Sequence, residues 1–190
     1  PRLRAAEAWE TNEVIQKSRR AALAVLKPTA AQLERGLKLH QESLVFDTYS
    51  FAPRCAVDGE AMAKLAQENA SAVEIKDARE RMMMIRCVDD AAEREEYMQA
   101  WKASGVTCIF QNAGEEGQAP LRLIKRLANF TYVTDHLRGF LNKAATPADI
   151  ISAKKAGEHC LYLTGNGVPL TQQWISVPDE LRYLMVFRNL

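Results

Sequence analysis

Three short, unbroken apolar runs set the limits on what this chain can fold into: Leu44–Phe46, Val106–Phe110 and Cys160–Leu163. None alternates with polar residues, which is the pattern of strands covered on both faces. Each runs into polar, turn-forming residues, namely Asp47-Thr48, Gln111-Asn112-Ala113-Gly114 and Thr164-Gly165-Asn166-Gly167. Helix-length segments separate the runs, so parallel strands joined by crossover helices, an α/β fold, is the economical arrangement. The runs are far apart, starting at residues 44, 106 and 160. At that pace an eight-stranded barrel needs roughly 400 residues, and this chain has 190. Its last helix carries Leu181, Leu184, Met185 and Phe187 to the final residue with no strand after it, so the three strands are expected to be part of a larger domain.

Helical signals fill the rest. Ala5 to Leu26 predicts one helix closed by Pro28, and Thr29 caps a second with Leu33, Leu37 and Leu39 near one face. Residues 58–103 read as mainly helical, with apolar Met62, Leu65, Ala66, Tyr97, Met98 and Trp101. The Met82-Met83-Met84-Ile85 cluster reads as core filling, because no Cys or His stands beside it at helical spacing. Leu121 to Leu137 predicts another helix. Thr146-Pro147-Ala148-Asp149 supplies an N-cap, a first-turn proline and a first-turn acid, and Gly157 stops that helix. Ser176-Val177-Pro178-Asp179 starts the last one in the same way.

Charge and cysteine usage exclude several classes. With 25 basic and 24 acidic side chains the net charge is +1, so no overall field draws the chain to nucleic acid or anionic lipid. The basic residues between Arg2 and Lys27 are interrupted by Glu7, Glu10 and Glu13, the pattern of a solvated helix face. No run approaches the roughly 18 to 20 apolar residues of a membrane span. Cys55, Cys87, Cys108 and Cys160 form no CxxC pair and are expected to be free thiols. That usage favours the cytoplasm and leaves periplasmic or secreted locations open.

Four stretches, in order, carry a resemblance. LKLHQESLVFDTYSFAP, from Leu37, YMQAWKASGVTCIFQNA, from Tyr97, LIKRLANFTYVTD, from Leu123, and ATPADIISAKKAGEHCLYLTGNG, from Ala145, resemble the membrane (renal) dipeptidase family of metal-dependent, amidohydrolase-related hydrolases. The resemblance runs from about Gly36 to Leu190. It implies the N-terminal part of a (β/α)8 TIM barrel: residues 1–40 as extra N-terminal helices, and residues 41–190 as the first strands and helices of a barrel left incomplete in this chain. It also implies where metal ligands would stand. The family's first strand carries His and Asp in H-x-D, where this chain has Tyr49 and Phe51. Its third strand carries a bridging Glu in E-G-G-H, where this chain has Thr164. Phenylalanine offers no lone pair and a threonine hydroxyl is a weak neutral donor, so the two-metal site is expected to be degenerate. A single zinc, held mainly by ligands beyond Leu190, is the cofactor the resemblance leaves open.

The pocket candidates are Asp47, Tyr49, Phe51, Gln111, Thr164 and Asn166. Asp47 is either a catalytic or metal-binding carboxylate or a turn cap accepting backbone N–H groups. Tyr49 is a phenolic donor or packing. Thr164, Asn166 and Gly167 read as a strand-end loop able to cradle an anion. Gln111, Asn112, Glu115 and Glu116 read as a solvated loop or pocket rim. His40, His136 and His159 have no second ligand at metal spacing, and Cys55 is the one cysteine near a strand mouth. Two functions follow. The first is a dipeptidase-like hydrolase, in which a metal-bound water attacks a dipeptide or small amide. The second is a non-catalytic TIM-barrel protein binding a small ligand or a protein partner. The expected partners are the remainder of the barrel, in the same or a separate chain, and a second copy as a homodimer.

Overall fold

The computed structural model describes residues 8–115, 119–166 and 177–189. In chain order these form α1 (Ala8–Thr11), α2 (Glu13–Leu26), α3 (Ala30–Glu42), β1 (Phe46–Ser50), α4 (Gly59–Gln67), α5 (Ala72–Asp89), α6 (Ala91–Ser104), β2 (Cys108–Glu115), α7 (Pro120–His136), β3 (Leu141–Ala144), α8 (Pro147–Ala156), β4 (His159–Asn166) and α9 (Val177–Asn189). Local chemistry explains most helix ends. Thr29 with Gln32, Ser71 with Glu74, and Thr146 with Asp149 form reciprocal capping boxes that satisfy otherwise orphaned N–H groups. Gly105 ends α6 at φ 64°, where a side chain would be strained and would also press on the His40 ring at 3.2 Å. His40 Nε2 in turn meets the Ser104 carbonyl at 3.0 Å, which ties α3 to this corner.

All four strands are parallel, in the order β1-β2-β4-β3. Each of the three expected strands is present, but β1 and β2 are shifted toward the C-terminus, leaving Leu44, Val45 and Val106 before them, and all three run past their apolar runs. β1 reaches Ser50, β2 reaches Glu115 and β4 reaches Asn166. The polar residues expected as loops are therefore strand residues: Asn112 pairs with Thr164 and Glu115 with Asn166. Pairing with a neighbour supplies their backbone hydrogen bonds, and polarity alone does not end a strand that has a partner. β3 is an addition. Leu141-Asn142-Lys143-Ala144 has no apolar run, and it is held by residues 159–162 of β4, beginning with His159 N–H donating to Phe140 C=O at 2.8 Å.

Side chains alternate between the two faces of the sheet. On one, Ile109 and Leu161 pack with Ile85, Cys87 and Val88 of α5, Tyr97 and Trp101 of α6, and Val133 and Leu137 of α7. On the other, Cys108 and Cys160 pack with Ile150 and Ala153 of α8. Further along that second face, Phe46, Phe110 and Tyr162 form a row, with ring centroids 6.2 and 5.0 Å apart. Phe46 keeps 45% exposure and Tyr162 36%, so this row is not covered. No residue of α2 or α3 is buried, and Leu37 and Leu39 are exposed. Among the described residues no helix is long and apolar enough to cross a membrane.

Leu161 is fully buried. Leu161→Ala is expected to cost about 2–5 kcal/mol in urea unfolding, against about 0.5 kcal/mol or less for Leu39→Ala. His159 supplies a pH test. Its ring lies between Trp101 and Phe140, both at 5.0 Å, and its Nδ1 meets the Val106 carbonyl at 2.6 Å. Burial lowers its pKa, with Lys102 and Lys154 adding to the effect against that hydrogen bond. The ring stays neutral in the fold and takes a proton more readily once unfolded. Its contribution is therefore complete above the unfolded value, about 6.5, and is lost as pH falls from there toward the lowered folded value. The unfolding midpoint should drop over that interval, and His159→Gln should flatten the drop.

Candidate functional site

Because the strands are parallel, their carboxyl ends share one edge of the sheet, and the chain leaving β1 turns back over the face that carries α5–α7. Ala52 and Cys55 enter the core there. One side chain fixes this turn. Gln111, 2% exposed, accepts a hydrogen bond from Ala52 N–H on Oε1 at 2.6 Å and donates from Nε2 to the Asn112 carbonyl at 3.0 Å. Sequence reading took Gln111 and Asn112 as a solvated loop or pocket rim, with Gln111 among the pocket candidates. Both are buried members of β2, because β2 has a neighbour on each edge and helices above it.

Between the turned-back segment and the helices lies a small cleft, with a cavity volume of about 40 Å³, open to solvent at its mouth. Phe51, Pro53, Met83, Met84, Phe130 and Val133 give it an apolar lining. Tyr97, Gln111, Asn112, Arg54, Glu80 and Arg126 add polar groups. Arg54 stands at the rim, its guanidinium carbon 5.2 Å from the centre of the Phe51 ring, a cation–π contact. Arg126 is 7% exposed. Its charge is met by Glu80 at 2.8 Å, and its Nη1 donates to the Ala113 carbonyl at 3.3 Å. Glu80 also reaches Arg122 at 3.5 Å. Burial raises the pKa of Tyr97, so its phenol stays neutral and able to donate. The Asn112 carboxamide oxygen is shut off from solvent with no hydrogen-bond partner among the described residues, which leaves an unmet acceptor at this strand end.

The sequence candidates separate into two groups. Phe51 and Gln111 come together in the cleft. Thr164 lies beside them on the sheet, its hydroxyl donating to the Gln111 carbonyl at 3.2 Å. Asp47 lies in β1, paired with Ile109, and accepts the Tyr49 N–H at 3.3 Å where the register with β2 shifts, and Tyr49 is 59% exposed. Asn166 is exposed at the end of β4. Gly167 and Glu116 lie outside the described residues. His40, His136 and His159 each bond a backbone carbonyl and stand apart from one another. Sequence reading missed Arg54, Glu80, Tyr97 and Arg126. The one signal available was an Arg at 126 within an otherwise apolar stripe of α7, which asks for a buried partner.

Among the described residues no three His, Cys, Asp or Glu side chains are grouped to hold a metal ion. Tyr49 lies in β1, Phe51 just past its end and Thr164 in β4, where the resemblance would have placed metal ligands. No family model, no curated protein and no solved structure matches the chain.

Gln111→Leu removes the acceptor for Ala52 N–H inside the protein. It is expected to cost about 1–3 kcal/mol and to speed hydrogen exchange at the Ala52 amide, read by NMR.

Proposed function

We propose that this chain binds a small amphipathic carboxylate, with an apolar, flat body and an acid group, in the cleft between the Phe51–Arg54 segment, α5 and α7. The observation that carries the reading is the lining itself: an apolar pocket at the carboxyl ends of parallel strands, where α/β proteins place their ligands, with one cationic side chain at the mouth. The buried cation, Arg126, already has Glu80. Arg54 is exposed and held only against a ring, so it is the group positioned to meet an anion. Phe51, Met83 and Phe130 offer the body of the ligand a soft apolar bed. An acylated amino acid or dipeptide has this chemistry, and binding without hydrolysis needs nothing beyond the groups present.

The dipeptidase resemblance implies the first part of a (β/α)8 barrel, but an open parallel α/β sheet is the architecture that the topology supports. Two features support the open sheet. The order β1-β2-β4-β3 is not the sequential neighbour order of a barrel, and α8 packs on the sheet face opposite α5–α7, whereas a barrel keeps its helices in an outer ring. β3 pairs only with residues 159–162 of β4, and no described strand pairs with residues 163–166 on that edge. Metal-dependent hydrolysis of a dipeptide would require ligands from outside the described residues.

The test is titration of the isotope-labelled chain with hippurate, an aromatic acylated amino acid, followed by NMR. Saturable shifts are expected at residues 51–54, at the Met83 and Met84 methyl groups and at Gln111, in the millimolar to high micromolar range. Arg54→Ala should weaken binding by about tenfold, as expected for one lost charge-assisted contact of roughly 1.4 kcal/mol. Absence of saturable shifts, or shifts centred elsewhere, would overturn the reading.

A further inference from the structure

Two cysteines meet where the cleft wall ends. Cys55 follows the Phe51–Arg54 segment, and its N–H donates to the Met83 carbonyl at 2.9 Å. Its sulfur accepts the backbone N–H of Cys87 at 3.1 Å. Cys87 is in α5, with its own sulfur 3.8 Å from the Met84 carbonyl. Both are free thiols, 7% and 0% exposed. Since the Cys55 sulfur already touches the Cys87 backbone, the two sulfurs are within a side-chain rotation of bonding distance. The neighbourhood is also asymmetric. Arg86 donates to the Ala56 carbonyl at 2.8 Å and Glu93 accepts the Ala56 N–H at 2.9 Å, so a cation and an anion clamp the residue after Cys55, while Asp90 pairs with Arg86.

We propose that Cys55 and Cys87 are an oxidisable dithiol that reacts with a hydroperoxide and closes to a disulfide, fastening the wall of the cleft to α5. The Cys55 thiolate attacks the peroxide, an S–O bond forms and the O–O bond breaks, and hydroxide or alkoxide leaves. The Cys87 sulfur then attacks the Cys55 sulfenic acid. The S–S bond forms, the S–O bond breaks, and the departing hydroxide takes the Cys87 proton as water. Overall two thiols and one hydroperoxide give a disulfide, an alcohol or water, and water, a balanced two-electron exchange.

Cys55 is the attacking group because hydrogen bonds from the Cys87 thiol, together with the Cys87 N–H, hold its pKa down against its burial. Cys87 is pushed up by giving its proton toward Cys55 and by burial, so it keeps that proton until it resolves the sulfenic acid. Cys108 and Cys160 stand in the same electrostatic relation, the Cys160 thiol holding the Cys108 pKa down while Cys160 is pushed up, so their place in the fold is what separates the two pairs. Cys108 and Cys160 face each other across β2 and β4, 0% and 1% exposed under α8, with no share in the cleft wall. The redox chemistry stands whether or not the cleft binds a carboxylate; only an effect of the disulfide on hippurate affinity rests on that reading.

The experiment treats the native chain with one equivalent of hydrogen peroxide, alkylates what remains free under denaturing conditions, and maps tryptic peptides. Arg54 and Arg86 each precede a cysteine, so trypsin releases Cys55 and Cys87 on separate peptides. A cross-linked pair of these peptides, two hydrogens lighter than their sum, with Cys108 and Cys160 alkylated, is the expected result. In Cys87→Ser, dimedone should trap a sulfenic acid at Cys55, and Cys55→Ser should consume peroxide at least about tenfold more slowly than the parent chain. A Cys108–Cys160 cross-link in place of Cys55–Cys87, oxidation confined to methionine, or an unmodified pair would overturn the proposal. The map of the parent chain decides this even where a variant fails to fold, and it is independent of any ligand titration.

Discussion

β2 is paired along both edges, with β1 on one side and β4 on the other, and the remaining elements are positioned by that double pairing. A strand with two neighbours has its backbone groups satisfied along its length, so it can carry Gln111 and Asn112 into the interior, where a less supported chain would have turned out to solvent. Gln111 then uses that position to hold Ala52 by a single short hydrogen bond. The chain leaving β1 is thereby bent over the helical face, and the cleft exists in the space it bridges.

The cleft combines groups that would each be costly alone. A guanidinium as buried as that of Arg126 is tolerable only with Glu80 beside it and a carbonyl in reach. Glu80 in turn links α5 to α7, alongside the Asp77–Lys125 ion pair and the Tyr132 hydroxyl, which donates to Asp89 at 3.1 Å. The same two helices thus form the wall and floor of the cleft and hold its ionic network. At the far end of the wall, the Cys55–Cys87 contact fastens the segment to α5 a second time. A ligand in the cleft and an oxidant at the thiols would act on one short segment, residues 51–55, held at both ends by named hydrogen bonds.

Much of the architecture was legible in the residue order. The capping residues Thr29 and Thr146, the stop at Gly157 and the three apolar runs all announce themselves, because caps and buried central strands depend on side chains within a few positions of each other. β3 was not legible, since its four residues carry little apolar signal and exist as a strand only because β4 offers an edge. The strand ends were misplaced for a related reason: Asp47, Gln111 and Thr164 look like turn residues until a neighbouring strand accepts them. Of the site, Phe51 and Gln111 were found. Tyr97 was read only as an apolar helix residue, and Arg54, Glu80 and Arg126, from loop and helices distant in sequence, were not found.

The sequence by itself determined the α/β class, the parallel sense of its strands and several helix ends, because these follow from short-range periodicity and capping. It did not show that Asn12 caps a new helix and splits the expected Ala5–Leu26 helix into α1 and α2. Only the tertiary structure decided that β3 lies outside β4, that Gln111 and Asn112 are buried and that Asp47 is a strand residue paired with Ile109. It alone brought Arg54, Glu80 and Arg126 to one cleft and Cys55 to Cys87. Those outcomes depend on contacts between residues separated by tens of positions, where the strength of a hydrogen bond or ion pair is set by what surrounds it and not by what precedes it in the chain.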